Sequence, residues 1–388
     1  MAAKKRKAGI STNAIHGGVD SPVPGAGVSA ALVQSVNYVQ DIGTSEGLMY
    51  TRYGNTPNAE RVQKRLAVLE GAEAALVLSS GMGATCCAML ALVRSGDHVL
   101  SSSWIYGGTR RLFTEDLPGM GIEVTFVNPM EPRAWRKSVK KNTRVIFLES
   151  PVNPTCRVLD LTSLRTMAES KGLALVIDST FASPVNFRPI EHGVDVVIHS
   201  ATKYLNGHHD ILAGVLLGTE PFIEEARSKM AVWGQAPDPF ACWLLERGLK
   251  TLAVRVERQN ENAMRIAEWC SKDPRIARVH YPGLPDHPDH EIARKTLDGY
   301  GGMMAIELVG GGGASEAFLG RLEIFTHAAS LGGVDSLVSE PRYTSHEFLS
   351  SEERSAIGIP DGFLRMSIGI EDADDLIADI EQALPQQR

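Results

Sequence analysis

The sequence predicts an α/β protein with a mostly parallel central sheet and a smaller α/β unit toward its carboxyl end. Short apolar runs recur from about residue 72 between longer segments of mixed polarity, several of them close on Ser, Glu or Asp, and near residue 240 the pattern gives way to a long helical stretch. The runs are AALVLSS at 74–80, DHVLSSS at 97–103, VIFLES at 145–150, LALVIDS at 173–179 and VDVVIHS at 194–200. Continuous apolar strands separated by helix-length segments mark a parallel sheet covered on both faces. Ligands of such open sheets bind beyond the carboxyl ends of the strands, so the polar closing residues are where chemistry is to be sought.

The elements follow in order. Residues 1–55 lack sustained periodicity, contain the turn-rich Ser21, Pro22, Val23, Pro24 and Gly25, and read as an extended arm. Thr56 and Pro57 open a helix that carries Val62, Leu66 and Leu69 on one side, and Gly71 is placed to stop it. A mixed helical stretch runs from Pro239 through Trp269 and connects two units. The strand-like GGMMAIEL at 301–308, a glycine run at 310–313 that ends it, and the amphipathic DADDLIADIEQAL at 372–384 complete the second unit. The predicted division is an arm at 1–55, a large domain at 56–250 and a smaller domain at 251–388.

Composition excludes several classes. The 388 residues carry 39 Lys plus Arg against 46 Asp plus Glu, a net charge of −7, which disfavours a general polyanion binder or a membrane-surface protein. The one concentrated basic run, Lys4, Lys5, Arg6 and Lys7, reads as a solvated tail. No apolar stretch approaches the ~18 residues of a membrane span and the amino terminus lacks the apolar core of a secretory signal, so a soluble, cytoplasmic protein is expected. Cysteines 86, 87, 156, 242 and 270 make no CxxC pair, which suggests neither a disulfide framework nor a zinc site; Cys86 and Cys87 read as buried structural thiols.

Familiar signatures fail. Gly25, Gly27 and Ala30 match a dinucleotide fingerprint by letters, but Pro22 and Pro24 stand where that fold needs a strand. His208, His209 and Asp210 are adjacent, and on most backbones adjacent side chains diverge, so they read as a loop near a polar site rather than a metal centre.

Three features combine to more. Gly81 to Gly83 read as a small-residue turn into a helix start, which presents free N–H groups to an anion. Asp178 closes an apolar strand, where a carboxylate calls for a cationic partner. Lys203 follows another strand end, flanked by Ser200 and Thr202. Alone, each is more often a turn glycine, a helix cap or a snorkelling lysine. A phosphate cradle, a strand-end Asp and a strand-end Lys on neighbouring strands are together the three anchors of pyridoxal phosphate: its phosphate, its protonated ring nitrogen and its aldehyde.

The residues that carry these features resemble a known family. SATKYLNGH at 200–208, SSGMGA at 79–84, YTRYGN at 50–55, YGGTRR at 106–111, ESPVNPT at 149–155 and SLGGVDSL at 330–337 are similar to the cysteine and methionine metabolism family of pyridoxal phosphate enzymes, from about Thr12 to Leu384. That family contains cystathionine synthases and lyases, methionine γ-lyases and homoserine-ester sulfhydrylases. YPGLPDHPDH at 281–290 also resembles its carboxyl-terminal domain, which makes those histidines loop residues. The resemblance implies an aspartate-aminotransferase-like fold (fold type I) and pyridoxal 5'-phosphate as cofactor. It implies that Lys203 would bind the cofactor's aldehyde and later shuttle protons, that Asp178 would pair with the ring nitrogen, that Tyr106 would stack on the ring, and that Asn153 would meet the ring hydroxyl and the substrate. Gly81, Met82, Ser200 and Thr202 would hold the phosphate. Tyr50 and Arg52 would reach it from the neighbouring subunit, so that a homodimer at least, and a tetramer in the family's common form, is implied. Arg365 would grip the substrate α-carboxylate with a fork that Lys could not reproduce, beside Ser330.

For the substrate, the resemblance implies elimination or replacement at the γ or β carbon of a sulfur amino acid or homoserine ester. Arg111 matches a position that cystathionine-handling relatives use for a distal carboxylate, which points to a cystathionine γ-lyase or γ-synthase. Met49 and Ala329 stand where many relatives carry acids before the Tyr and Ser motifs, which keeps methionine γ-lyase, homoserine-ester sulfhydrylase and cystathionine β-lyase as alternatives. A catalytically silent scaffold is the alternative of a different class, and intact Lys203, Asp178, Tyr106 and Arg365 speak against it.

Overall fold

A computed structural model describes residues 8–19, 23–345, 347 and 350–385. The Lys4, Lys5, Arg6 and Lys7 run, with Ser21 and Pro22 of the turn-rich stretch, lies outside the described residues. Seven strands form the large sheet: β1 (Ala74–Leu78), β2 (His98–Ser102), β3 (Glu123–Val127), β4 (Thr143–Glu149), β5 (Ala174–Asp178), β6 (Val196–Ser200) and β7 (Gly214–Gly218). Their order is β1-β7-β6-β5-β4-β2-β3. The pairs from β3 through β2, β4, β5 and β6 are parallel, and β7 runs antiparallel to both β6 and β1.

The five apolar runs form β1, β2, β4, β5 and β6, with the last one or two residues of most runs in the loops beyond the strand ends. The expected pattern omits β3 and β7. Strand β3 is an edge strand whose first residue is exposed, and β7 is bounded by Gly214 and Gly218, so neither reads as a long apolar run. The strands are buried on both faces by two apolar clusters, one including Leu100, Ile146, Ile177 and Val197, the other Val99, Phe147, Val176 and Ile198. Alternate residues of one strand thus enter opposite layers, as the pleat requires.

The helix Pro57–Glu70 starts on Pro57 and stops at Gly71, which has φ 77°. The stretch from Pro239 is two helices, Pro239–Leu249 and Leu252–Cys270, rather than one. Arg255 holds the break: its Nη2 donates to the Gly248 carbonyl and its Nε to Thr251 Oγ1, while Nη1 donates to the carbonyl of Tyr204, the residue after Lys203. The smaller sheet comprises β8 (Ile276–His280), β9 (Met303–Leu308), β10 (Thr326–His327), β11 (Leu337–Ser339) and β12 (Phe363–Ser367) in the order β10-β11-β12-β9-β8. The closing helix Ala373–Ala383 buries Leu376, Ile380 and Ala383 against it.

Within the arm, the helix Ile10–His16 packs on the large unit, with Ala14 buried and its carbonyl bonded to Arg65. Beyond it, Val28, Val39 and Ile42 are fully exposed in this chain. Among the described residues no helix is long and apolar enough to cross a membrane, and no group of three or more His, Cys, Asp and Glu is arranged to hold a metal ion.

Candidate active site

A cavity of about 540 Å³ opens at the carboxyl ends of β4, β5 and β6 and is closed on its other side by residues 329–331 and Arg365 of the second unit. Strand ends, where backbone pairing stops, leave side chains free to converge. The helix Gly81–Leu92 begins at one wall. Ser80 caps it by accepting from Gly83 N–H, and the preceding N–H groups of Gly81 and Met82 have no acceptor within the helix. A Cβ on Gly81 would come within 2.8 Å of the Ser200 Cβ, so the helix start is seated directly against the end of β6. Ser200 N–H donates to Thr180 Oγ1, and Thr202 Oγ1 is engaged with the backbone of Ala213.

Asp178 stands opposite Glu149 in the parallel register of β4 and β5. Its Oδ1 accepts from Thr180 N–H at 3.0 Å and Thr180 Oγ1 at 2.6 Å, and among the described residues Oδ2 accepts nothing. Burial raises the Asp178 carboxyl above its usual range. Burial, and then the charge of Asp178, push Glu149 up to about 8. Two carboxyls therefore share the cavity floor, and neither forms an ion pair with a cation among the described residues.

The cationic side is Lys203 and Arg365. Lys203 Nζ donates to Ser330 Oγ at 2.7 Å; burial, aided by the nearby Arg365, lowers its amine to about 8. Arg365 is 6% exposed and donates from Nη1 to Asn153 Oδ1 at 3.2 Å and from Nη2 to the Ser330 carbonyl at 2.9 Å. Its Nε is buried without a partner, and burial lowers the guanidinium to about 10. Ser330 holds a left-handed backbone, φ 82°, which L side chains rarely adopt and which places its hydroxyl and its carbonyl on two different cations. Tyr106, 43% exposed, lines the same cavity, and its N–H donates to Glu149 Oε2.

Gly81, Met82, Tyr106, Asn153, Asp178, Ser200, Thr202, Lys203, Ser330 and Arg365 thus meet in one cavity, as the sequence predicts. Three do not join them within the chain. Arg111 is exposed and ion-paired to Glu115 at 3.0 Å. Tyr50 and Arg52 flank the start of a short 3-10 turn in the arm, where the Arg52 guanidinium packs over the Tyr50 and Tyr53 rings and donates to the Ala231 carbonyl.

The carboxyl-end cavity, the cradle and the lysine are matched by the whole chain. The Cys/Met metabolism PLP-dependent enzyme family matches residues 11–385. The chain belongs to this family. It is 38% identical over 391 residues to the L-methionine gamma-lyase of Fusobacterium nucleatum subsp. polymorphum, covering 98% of each chain. It is 40% identical over 372 residues to the cystathionine gamma-lyase of Bacillus subtilis strain 168, covering 95% of this chain and 97% of that one. The structure of cystathionine gamma synthase from Xanthomonas oryzae pv. oryzae, in complex with aminoacrylate and cysteine, superposes with TM-score 0.93 at 34% identity and 97% coverage of both chains. The fold is fold type I, and the protein is a pyridoxal 5'-phosphate-dependent enzyme.

The cavity fits this cofactor. Unengaged N–H groups at Gly81 and Met82 beside the Ser200 hydroxyl suit a phosphate, the unpartnered Asp178 oxygen suits a protonated ring nitrogen, and a buried amine at Lys203 suits an aldehyde. Two contributors escape sequence reading. Thr180 ties Asp178 to the β6 end through one hydroxyl. Glu149 reaches two backbone N–H groups. The signal for both was their place at or just beyond a strand end.

Proposed function

We propose that the protein catalyses elimination or replacement at the γ carbon of a sulfur amino acid or homoserine ester, with a cystathionine γ-lyase or γ-synthase reaction as its activity. The observation that carries this reading is the convergence of Lys203, Ser330 and Arg365 on a cavity whose opposite wall is Asp178 and the Gly81 helix start. Gly81, Met82, Ser200 and Thr202 hold the cofactor phosphate, Asp178 keeps the ring nitrogen protonated, Tyr106 covers the ring face and Asn153 meets the ring hydroxyl and the substrate. When bound, pyridoxal phosphate supplies an electron sink for the pair left by breaking a bond at the substrate Cα. Arg365 receives the substrate α-carboxylate; its unpartnered buried Nε supports this. Lys203 Nζ takes the Cα proton and moves protons between Cα and Cβ, a task suited to an amine lowered to about 8.

Cystathionine is favoured by Glu347. Among the described cavity residues, Lys203, Arg365, Asp178 and Glu149 are accounted for, which leaves Glu347 at the mouth to meet a distal ammonium. Methionine γ-lyase is the second reading, favoured by the Arg111–Glu115 pair, which occupies the guanidinium proposed for a distal carboxylate.

The arm at 1–55, the cofactor domain at 56–250 and the domain at 251–388 act as one unit. Tyr50 and Arg52 complete the site of a neighbouring subunit, in a dimer that pairs into a homotetramer; the exposed Val28, Val39 and Ile42 of the arm support such a contact. The five free cysteines suit a reducing, cytoplasmic setting. A substrate panel tests the reading: cystathionine, methionine, cysteine, and O-succinylhomoserine with cysteine. Cystathionine cleavage to 2-oxobutyrate, or formation of cystathionine from the ester, supports it. Turnover of methionine alone replaces it with the second reading.

A further inference from the structure

We propose that Glu149 is a positioning residue that fixes Tyr106 and Asn153, on two separate loops, to one point at the end of β4. Its Oε2 accepts from Tyr106 N–H at 2.6 Å and its Oε1 from Asn153 N–H at 2.8 Å. Neither amide has another acceptor among the described residues. The first loop delivers the Tyr106 ring to the cavity. The second delivers Asn153, whose Oδ1 accepts from Arg365. One side chain therefore stands behind both the contact proposed for the ring face and the guanidinium proposed for the substrate carboxylate.

The chemistry of the two bonds calls for a carboxyl group. Each of its oxygens faces a backbone donor, so both must accept. An amide offers one acceptor and would turn its NH2 toward an N–H, whereas a carboxyl keeps acceptor lone pairs on both oxygens whether or not it is ionised. Burial at 5% exposure and the neighbouring Asp178 both oppose the ionised form, and among the described residues no Lys, Arg or His pairs with it. The inference rests on the cofactor reading of the cavity and adds to it a group that acts through Tyr106 and Asn153.

The experiment compares the full-length wild type with Glu149→Gln, nearly equal in size. Folding is checked by circular dichroism, and pyridoxal phosphate affinity by titration of the cofactor-depleted protein. We expect at least a tenfold rise in the pyridoxal phosphate dissociation constant and a rise of similar size in KM for the amino acid that exceeds the loss in kcat. Values within twofold of the wild type, in a folded variant, would overturn the inference and leave the cofactor reading intact. Failure of the wild type itself to bind pyridoxal phosphate would overturn that reading instead. Hydrogen exchange on the wild type supplies an arm that needs no substitution: the Tyr106 and Asn153 amides should be protected, and exchange at free-loop rates would sink the proposal even if Glu149→Gln does not fold.

Discussion

Lys203 and Ser330, 127 positions apart, meet through a 2.7 Å hydrogen bond from Nζ to Oγ that joins the two units of the chain across the cavity. The same Ser330 gives its carbonyl to Arg365, so one residue with left-handed backbone spaces the amine and the guanidinium. That spacing sets the Arg365 charge near the Lys203 amine and helps to lower it.

Capture of pyridoxal phosphate by the cofactor-free protein requires the neutral amine. Burial, then the charge of Arg365, lower Lys203 to about 8, so the neutral form grows as pH rises toward that value. Stopped-flow absorbance should show a capture rate that rises about tenfold per pH unit well below 8 and levels above it. A rate still climbing beyond pH 10 would mean an ordinary lysine and contradict the lowered value.

The neighbouring-subunit role proposed for Arg52 predicts complementation. Arg52→Ala and Lys203→Ala should each be inactive, yet a hybrid dimer contains one site with both residues intact. Equal mixtures, dissociated and reassembled, should regain roughly a quarter of wild-type activity, since half the dimers are hybrids with one good site of two. No recovery, with hybrids demonstrated by mass, would place Arg52 in its own subunit's chemistry or in none.

Arg255 carries a stability prediction. It is buried, lowered to about 10 by that burial, and bonded to Tyr204, Gly248 and Thr251. Replacing it with Ala removes three bonds from a charged donor and leaves the Tyr204 carbonyl unmet, the Gly248 carbonyl keeping its bonds from Thr251, so unfolding free energy should fall by about 3 kcal/mol. Urea denaturation of the cofactor-free protein checks this, and a change below about 0.5 kcal/mol would show that Arg255 does not hold the helix break.

Distal specificity provides a further test. If Glu347 meets a distal ammonium, Glu347→Gln should raise KM for cystathionine about two- to fivefold and leave methionine kinetics unchanged, the size expected of one exposed charge contact. Equal effects on both substrates would remove Glu347 from specificity.

Much of this was legible in the sequence, for reasons visible in the residues. Continuous apolar runs reveal buried parallel strands, and a polar residue closing such a run, as in Asp178, must face something other than core. The gaps are equally physical. Strand β7 is framed by glycines, and β3 is short and half-exposed, so neither shows the apolar length that announces a strand. The split between Leu249 and Leu252 depends on Arg255 reaching back to carbonyls, which helical periodicity does not encode. Glu149 and Thr180 act on backbone groups, and such partners emerge only once the strands are in register. Arg111, Tyr50 and Arg52 were read from motif positions, and a single chain sets them apart from the cavity.

The Lys203 amine is proposed to hold the cofactor at the carboxyl ends of β4 to β6. The most direct test is to load the protein with pyridoxal phosphate, reduce with borohydride, digest, and locate the added mass by peptide sequencing. A single labelled site at Lys203, within SATKYLNGH, and no retained label in Lys203→Ala are expected. Stoichiometric labelling at another lysine, or full retention of the label in Lys203→Ala, would contradict it.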